Sequence, residues 1–579
     1  MTRSNLAAIA ATLAAMAIGG CADVNDPPAF DPRSFQISQR EASKQLSTND
    51  KRPLPTTLPD LPKNSARMNQ NNSTTQPSSI PPGFDAGSPV TRLSLREMIQ
   101  RTVANNLDVK VAGYDPAIEG TRVVENEAKF DPAFFANTQF EHRDNLTSGN
   151  FVSNPNTGQT NIVTFSKADI YSAETGLKQN LESGGQAQLK YSTAYNDLDP
   201  QQSSLNPYWE NNLELQITQP ILRNFGTDIN RANITISKNN QRISLLDFRK
   251  SLEEQIANTE TAYWSLVDAV EEVRIAEELL GRTTRMVEIL NARINQDVTI
   301  VQVSQARASE ESRKAALVRA RARVGDLSDQ LKRLMNDPDM PVSSASIILP
   351  STEPMMDPIK FNLEEQIATG LENRFELGQQ MLRIDSASVA SKVAKNGLLP
   401  QLNLIGSGGF QGLDNSIGGA ADKQLDANHI SYSLGVQLEI PIGNREARAV
   451  WQRALLQRQQ AIEQYRSLIE QVSLDVKTAA REVETTWNEM ISTRLARYAA
   501  DQSLSAIQQR EDAKEPLTPT FVQLKLDTQE RLASAKSSEA QAISNYNNGL
   551  SKLERAKGTL LRYNNVLLEE DKTPIGVSK

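Results

Sequence analysis

Residues 93–99 read Leu-Ser-Leu-Arg-Glu-Met-Ile, and residues 361–367 read Phe-Asn-Leu-Glu-Glu-Gln-Ile. At one fixed distance from these stretches lie two prolines, Pro132 and Pro400. Each stretch begins with a Ser or Asn that can cap a helix, and a Glu follows three positions later, as in a capping box. The spacing predicts an internal tandem repeat, in which two helices start in register and end shortly before a proline. In the first copy, Asp115-Pro116 is expected to interrupt that helix.

The residues after each proline change from a helical period to strict alternation. The apolar members of the alternation are Phe134, Ala136, Thr138 and Phe140; Leu213, Leu215 and Ile217; Leu402 and Leu404; and Tyr432, Leu434, Val436, Leu438 and Ile440. Strands of about ten residues with one apolar and one polar face suit a membrane barrel with a wet lumen, and a soluble sandwich would show the same alternation. Around Ser183-Gly184-Gly185 the first copy alternates further, which predicts an extra hairpin over 171–193, either in the barrel wall or outside it.

Two long segments follow the strands and carry apolar residues on a seven-residue period, which is typical of coiled coils. The series are Leu252, Leu266, Val273, Leu280, Val287 and Ile294 in the first copy, and Ile462, Ile469, Val476, Val483, Met490 and Leu504 in the second. A continuous helix over 231–295 would be roughly 100 Å long. The pattern breaks at 297–301 and at 516–519, where β-branched residues or prolines weaken a helix, and then resumes. Each copy is therefore expected to fold back as an antiparallel helical pair.

The beginning of the chain has the pattern of a secretory signal, assigned to residues 1–20. Arg3 precedes a short apolar run that ends at Gly19-Gly20-Cys21. This junction resembles the lipobox of bacterial lipoproteins, which implies that Cys21 is the lipidation site; an ordinary signal peptide with an incidental cysteine is the alternative. Residues 21–92 contain 11 of the 27 prolines and are rich in Asn, Ser, Thr and Gln, so they are expected to form a disordered tether.

The composition excludes several classes of protein. The chain has 579 residues, a net charge of -8, one Cys and two His. The absence of a long apolar run argues against a helical membrane protein, and the negative charge argues against a general nucleic-acid binder. Neither a nucleophile with its base, a phosphate loop, nor a local metal motif is visible, so no enzyme activity, cofactor or metal is expected. His142 and His429 are interpreted as structural or loop residues.

The order of lipobox, tether, and twice a helix, a strand pair and a long reversing helix resembles the TolC family of trimeric outer-membrane efflux channels. The stretches Gln219-Pro220-Ile221-Leu222-Arg223-Asn224-Phe225-Gly226 and Ile440-Pro441-Ile442-Gly443-Asn444-Arg445 add to the resemblance. It implies an α+β fold with two TolC-like copies, over 93–350 and 351–566, followed by a tail over 567–579. A long antiparallel coiled-coil barrel would join a trans-outer-membrane β-barrel completed by trimerisation, with four strands from each protomer.

The resemblance further implies a passive duct in the cell outer membrane with a periplasmic helical tunnel. Its partners would be two further copies of the chain, a periplasmic adaptor and an inner-membrane pump, in a tripartite efflux or type I secretion system. The alternative, a lipid-anchored periplasmic coiled-coil scaffold without a pore, would use the strands as soluble hairpins. No nucleic acid is expected as a partner.

The two reversals, around Val301-Gln302-Val303 and Val522-Gln523-Leu524, are expected to lie at the periplasmic mouth of such a tunnel. Because these tips show few pairs of opposite charges, the predicted gate depends on packing and on amide hydrogen bonds of Gln302 and Gln523. Asp527 is a weaker gate candidate, since an acidic residue in a helix is more often simply solvated.

Overall fold

The computed structural model describes residues 90–148, 163–199, 205–294, 296, 298–513 and 515–566. The predicted signal peptide, Cys21, most of the tether and the tail over 567–579 lie outside the described residues. The first described element, the strand β1 (Val90–Leu93), begins inside the last residues assigned to the tether and pairs in parallel with β6 (Ile347–Pro350).

The elements of the first copy follow the predicted order of helix, strands and long helices. They are α1 (Leu95–Asn105), α2 (Leu107–Glu127), a 3-10 turn (Ala128–Phe130), β2 (Ala133–Ser148), β3 (Val163–Asn180), β4 (Gln186–Asp199), β5 (Tyr208–Pro220), α3 (Thr227–Asn230), α4 (Ala232–Ala292) and α5 (Ile300–Met335).

The second copy repeats this order with fewer strands. Its elements after β6 are α6 (Leu363–Asn373), α7 (Phe375–Asn396), β7 (Gln401–Asp414), α8 (Ile417–Leu425), β8 (Ile430–Glu439), α9 (Arg445–Asp512), α10 (Pro519–Ala556) and α11 (Leu560–Tyr563). The α+β fold with paired long helices, predicted from the sequence, is thereby confirmed. Among the described residues, none of the helices combines the length and apolarity needed to cross a bilayer.

The first helix of each copy begins with a side-chain cap and breaks at the same repeat position. Ser94 forms the full capping box with Glu97, whereas Asn362 caps through the amide of Glu364. The predicted interruption at Asp115-Pro116 is wrong, because Pro116 lies inside α2 and the break falls at Asn106. The Asn106 side chain accepts from the Val109 amide at 3.0 Å, so it starts a new helix there.

The long helices bury the heptad residues that were predicted to line their seams. In α4, Leu252, Leu266 and Val273 are buried, and in α9 Ile469 and Val476 are buried. The 61 residues of α4 extend about 92 Å. Each copy also buries one pair of aromatic side chains. The rings of Tyr263 and Trp264 lie 5.2 Å apart, and those of Trp487 and Tyr546 lie 5.3 Å apart. Each helical pair is therefore held by an apolar seam.

A six-stranded antiparallel sheet stands at one end of the long helices, in the order β2-β3-β4-β5-β7-β8. The extra hairpin predicted over 171–193 is part of this sheet, as β3 and β4. The expectation of four strands from each protomer is therefore wrong for this chain. Backbone hydrogen bonding decides the point, since β3 pairs with β2 from Val163 to Lys178 and β4 pairs with β5 from Gln186 to Asn196.

A buried carboxyl group holds the C-terminal helix α11 against α4. The Glu253 side chain is 5% exposed, and its Oε1 accepts from the Leu560 amide at 3.2 Å. Burial raises the pKa of Glu253 to about 7, opposed by that amide and by Arg374 and Arg555, and supported by Glu376. The folded protein therefore keeps Glu253 mostly protonated at pH values below about 7.

This raised pKa predicts a pH-dependent docking of α11. Between the ordinary glutamate pKa and about 7 the Glu253 carboxyl binds more protons in the folded state than in the unfolded state, so its contribution to stability is greatest at acid pH and is lost as pH rises through 7. The loss amounts to up to roughly 3 kcal/mol. Hydrogen exchange of the α11 amides between pH 5 and pH 8, corrected for intrinsic rates, measures it. In Glu253→Gln the dependence should shrink, and the remainder is due to Glu260, whose pKa burial also raises and which accepts from Asn564 beside α11. A profile unchanged by the substitution would rule out Glu253 as a source.

Candidate channel surfaces

The sheet has one apolar face, built by every second residue of all six strands. Its members include Phe134 and Phe140 of β2; Tyr171 and Leu177 of β3; Leu189, Tyr191 and Tyr195 of β4; Trp209, Leu213, Leu215 and Ile217 of β5; Leu404 and Phe410 of β7; and Tyr432, Leu434, Val436 and Leu438 of β8. Many are exposed, and Tyr432 reaches 86%. So large an exposed apolar surface indicates contact with something other than water.

Aromatic side chains form a row across this face at one level of the sheet. The rings of Phe140 and Tyr171 lie 4.6 Å apart, those of Tyr171 and Tyr195 lie 6.2 Å apart, and those of Tyr195 and Trp209 lie 5.2 Å apart. From Ile217 to Trp209, β5 rises about 26 Å, which is comparable with the apolar band of outer-membrane barrels before tilt is considered. The row therefore has the position of an interfacial aromatic girdle.

Charged side chains follow on the same face just beyond the aromatic row. His142 Nδ1 lies 2.5 Å from Asp169 Oδ1, and Lys167 Nζ lies 3.6 Å from Asp144 Oδ2. His142 is thus a strand residue whose ring nitrogen forms a hydrogen bond with Asp169.

The opposite face of the sheet is polar and carries charges that compensate one another. Lys190 Nζ lies 3.7 Å from Glu214 Oε2 and 4.0 Å from Glu174 Oε1, so it bridges three neighbouring strands. Gln411 donates to Glu210 at 2.7 Å. A polar face of paired charges suits contact with water. The apolar and polar faces together match a wall with lipid on one side and water on the other.

The long helices leave a second apolar surface uncovered. In the row of helices next to the sheet, α2 packs on α4, α4 on α7, and α7 on α9, which places α2 and α9 at the two ends. The outer face of α2 exposes residues at heptad-like spacing: Leu107, Val111, Tyr114 and Ile118. On α9, Leu456 is 71% exposed. Both ends of the row therefore present apolar side chains.

The two helix reversals pack together into one tip. A shared apolar core joins residues of the first copy to residues of the second, namely Met286, Val287, Leu290, Val298, Val303 and Ala306 with Ile507, Leu517, Phe521, Val522 and Leu526. Outside that core, Ile300 and Val301 are 65% and 67% exposed. The tip is thus a single packed body with an apolar pair on its surface.

The structure separates the three candidate gate residues. Gln302 is 1% exposed; its Nε2 donates to the Leu517 carbonyl at 2.6 Å and its Oε1 accepts from the Thr299 amide at 2.6 Å. Gln523 is exposed and donates to Asp527 Oδ1 at 2.7 Å. Gln302 therefore joins the two reversals from the inside of the tip. Gln523 joins them on the exposed side, where it accepts from Gln305 and donates to Asp527.

Ion pairs at the tip correct the expectation that it carries few paired charges. Arg510 donates to Glu515 at 2.7 Å, Lys525 pairs with Glu511, and Arg313 Nη2 lies 3.2 Å from Glu530 Oε2. Glu515 gains a lowered pKa from its hydrogen bond to Arg510. Two of these pairs connect residues near each other in the chain, whereas the pair of Arg313 with Glu530 connects the first copy to the second.

Arg313 is the functional candidate that the sequence reading missed. It lies on α5 and is 8% exposed, and it donates to Thr283 on α4 and to the Leu526 carbonyl on α10. A signal existed, because Arg313 stands at heptad-like spacing before Leu317 and Val324, where an apolar residue is expected. Because a buried charge is costly unless hydrogen-bond acceptors surround it, an arginine at such a position indicates that the folded chain supplies acceptors for its guanidinium group.

No group of His, Cys, Asp or Glu side chains that could hold a metal ion occurs within the part of the chain that the structure describes.

Comparison with known proteins gives a family match over part of the chain and a fold for most of it. A family model described as outer membrane efflux protein matches residues 367–559, within the second copy. No curated protein matches the chain.

Solved structures match over most of both chains. The CmeC outer membrane channel of Campylobacter jejuni has 17% identity and a TM-score of 0.54, over 80% of this chain and 86% of its own. The outer membrane protein VceC of Vibrio cholerae has 16% identity and a TM-score of 0.55, over 80% and 96%. The MtrE outer membrane channel of Neisseria gonorrhoeae has 16% identity and a TM-score of 0.55, over 80% and 89%. The resemblance predicted from the sequence is confirmed in fold by these structures and, over 367–559, by the family model.

Proposed function

We propose that this chain, which has the fold of outer-membrane efflux channels and matches their family model in its second copy, is a passive outer-membrane exit duct. The observation that carries the proposal is the sheet with one apolar face, one polar face and an aromatic row, continuous with helices about 90 Å long. Such a sheet suits the outer membrane, and such helices suit a tunnel through the periplasm.

The assembly that we propose is a closed ring of three copies. The strand β2 follows α2 in the chain and β8 precedes α9, so one side of the protomer consists of β2 and α2 and the other of β8 and α9. Both sides carry unpaired strand edges or exposed apolar residues such as Val111 and Leu456. When unlike sides of neighbouring copies meet head to tail, the copies form a closed ring if the rotation from one copy to the next divides a full turn evenly. The number three comes from the family resemblance.

Reconstitution tests the proposed duct against the lipid-anchored scaffold. Protein extracted from outer membranes with detergent should run as a heat-modifiable trimer and produce discrete conductance steps in planar bilayers. If removal of residues 1–21 instead yields a fully water-soluble, elongated protein that never conducts, the scaffold is correct and the duct is wrong.

The partners that we propose are a periplasmic adaptor, docking at the tip, and through it an inner-membrane pump. The exposed pair Ile300 and Val301 and the partly exposed Leu524 offer the adaptor an apolar contact at the end of the helices. The gate assignment stays with the same region: Gln302 would position the tips, and Gln523 with Asp527 would face the neighbouring copies.

Replacing Ile300 and Val301 together with Asp should weaken adaptor docking by about tenfold or more, since each buried apolar side chain contributes on the order of 1.5–3 kcal/mol. In-cell crosslinking to the adaptor and export by intact cells measure the effect, while trimer formation should be normal because the strand edges proposed to join the copies, β2 and β8, lie at the other end of the long helices. The matched control is Val318→Asp, on the same helix and 65% exposed but away from the tip. Equal crosslinking of the unsubstituted chain, the double variant and Val318→Asp would exclude this surface as the docking site.

The proposed lipid anchor depends on Cys21, the one cysteine of the chain. Replacing it with Ser should abolish metabolic labelling with a radioactive fatty acid. A multiple-acyl anchor is firm where a single chain binds marginally, so the anchor would fix the start of the tether at the membrane. Undiminished labelling of Cys21→Ser would disprove the lipoprotein assignment without affecting the proposed duct.

A further inference from the structure

The strands β3 and β4 alternate in the same way as the strands beside them. On the apolar face Tyr171 and Tyr195 complete the aromatic row between Phe140 and Trp209. On the polar face Lys190 of β4 pairs with glutamates of both neighbouring strands. The hairpin of β3 and β4 is therefore matched to the same two environments as the rest of the sheet.

The turn between β3 and β4 is fixed to the junction of sheet and helices. Gly184 has a φ of 93°, and a Cβ there would lie 2.1 Å from the Asn224 carbonyl oxygen. The Gly226 amide donates to the Ser183 carbonyl at 3.1 Å, and Ser183 Oγ donates to Gln219 at 2.8 Å. Arg231 also lies 3.3 Å from Glu182. The base of the hairpin is therefore fixed beside the junction of sheet and helices, as a strand pair of the wall requires.

The two outer edges of the sheet are unpaired within the described chain. All ten residues of β8 are exposed, and β2 pairs only through its β3 side. Open strand edges are not tolerated in lipid, because their amide and carbonyl groups find no water there. Six strands are too few to close on themselves, since the smallest outer-membrane barrels have about eight.

We propose that three copies of this chain close a barrel of eighteen strands, with β8 of each copy paired to β2 of the next; this rests on the proposed trimeric duct. Strand directions alternate from β2 through β8, so β8 and the next β2 run antiparallel and the ring closes without a mismatch. The occupant of each open edge is thus another copy of the same chain.

Eighteen strands make the membrane section wide. With strands about 4.8 Å apart and tilted by about 40°, the barrel measures about 36 Å across its backbone, against about 24 Å for twelve strands.

Labelling of single cysteines in trimers embedded in outer membranes tests the hairpin. The probe is a membrane-impermeant maleimide, and the labelling of the parent chain is subtracted. Lys190→Cys and Leu189→Cys examine the two faces of β4. Their matched controls are Glu214→Cys and Leu215→Cys, the direct cross-strand partners on β5.

We expect the probe to label Lys190→Cys about as fast as Glu214→Cys, and Leu189→Cys about tenfold more slowly, because lipid excludes the probe. Leu189→Cys and Lys190→Cys could instead react at equal rates while Glu214→Cys still reacts faster than Leu215→Cys. The hairpin would then be outside the wall, and the proposal would be wrong. If Glu214→Cys and Leu215→Cys also react at equal rates, the sheet is not in the membrane and the proposed duct itself is wrong.

Electron cryo-microscopy of the unsubstituted trimer gives a second, independent measurement. Eighteen strands in one closed wall are expected. Twelve strands with three hairpins outside would overturn the inference, and a closed ring of another number of copies would overturn the proposed trimer.

Discussion

Val436→Arg should remove the heat-modifiable trimer from the outer-membrane fraction. Val436 lies on the apolar face of β8, opposite Leu404, and is 68% exposed in the single chain. A charged side chain at a lipid-facing midplane position of a barrel costs about 2–4 kcal/mol, and the trimer would carry three of them. Quantitative detection of the trimer in unheated outer-membrane samples measures the effect.

The matched control is the adjacent residue, which points to the other face. Gln437 lies on the polar side, where Asn403 donates to it at 3.5 Å. Arginine in a wet lumen keeps its hydration, so Gln437→Arg should assemble at near-normal levels. Equal losses for the two variants would indicate a sheet with water on both faces, as in the scaffold alternative.

Arg313→Ala should open the proposed periplasmic mouth. The Arg313 guanidinium connects α4, α5 and α10 close to the tip: Nη1 donates to Thr283 and lies 3.3 Å from Gln529 Oε1, and Nη2 donates to Leu526 O at 3.2 Å. Burial lowers the pKa of Arg313, and Glu530 opposes that shift. A hydrogen bond to a charged group is worth about 1.5–3 kcal/mol, so the loss of two costs about 3 kcal/mol or more.

If the closed mouth depends on this connection, about 3 kcal/mol corresponds to roughly a hundredfold rise in open probability. Single-channel recording in planar bilayers measures it, with Arg319→Ala, an exposed arginine on the same helix, as the control. Arg313→Lys should only partly restore closure, because an ammonium group cannot reproduce the planar fork of guanidinium donors. An unchanged open probability in Arg313→Ala would show that the mouth is closed by other contacts.

Local sequence signals correctly predicted the elements whose causes are local. Heptad spacing located α4 and α9 because an amphipathic helix must bury one stripe, whatever its partner. Strict alternation located the strands, including the hairpin around Ser183-Gly184-Gly185, because successive side chains point to opposite faces. The helix reversals were predicted at 297–301 and 516–519, and α5 and α10 begin at Ile300 and Pro519.

The error at Asp115-Pro116 shows where a local signal competes with another. Proline removes one amide and is therefore a plausible break, but Pro116 stands in a part of α2 that is only half-buried, where water can serve the freed carbonyl. Asn106 instead gains a side-chain cap and donates to the Leu334 carbonyl at 2.7 Å. A contact with a residue so distant in the chain cannot be read from the sequence around Asn106.

By itself, the sequence determined the tandem repeat, the kinds of element, their order and the apolar side of each, because capping, proline geometry and periodicity act over a few residues. Only the tertiary structure decided that the extra hairpin joins the sheet, that Gln302 is buried between the reversals, and that Arg313 connects the two copies. Alternation is the same for a strand in the wall and for one outside it, and the partners Leu517 and Leu526 are more than two hundred positions away. Strand pairing and buried hydrogen bonds depend on which surfaces meet, and that is a property of the folded chain.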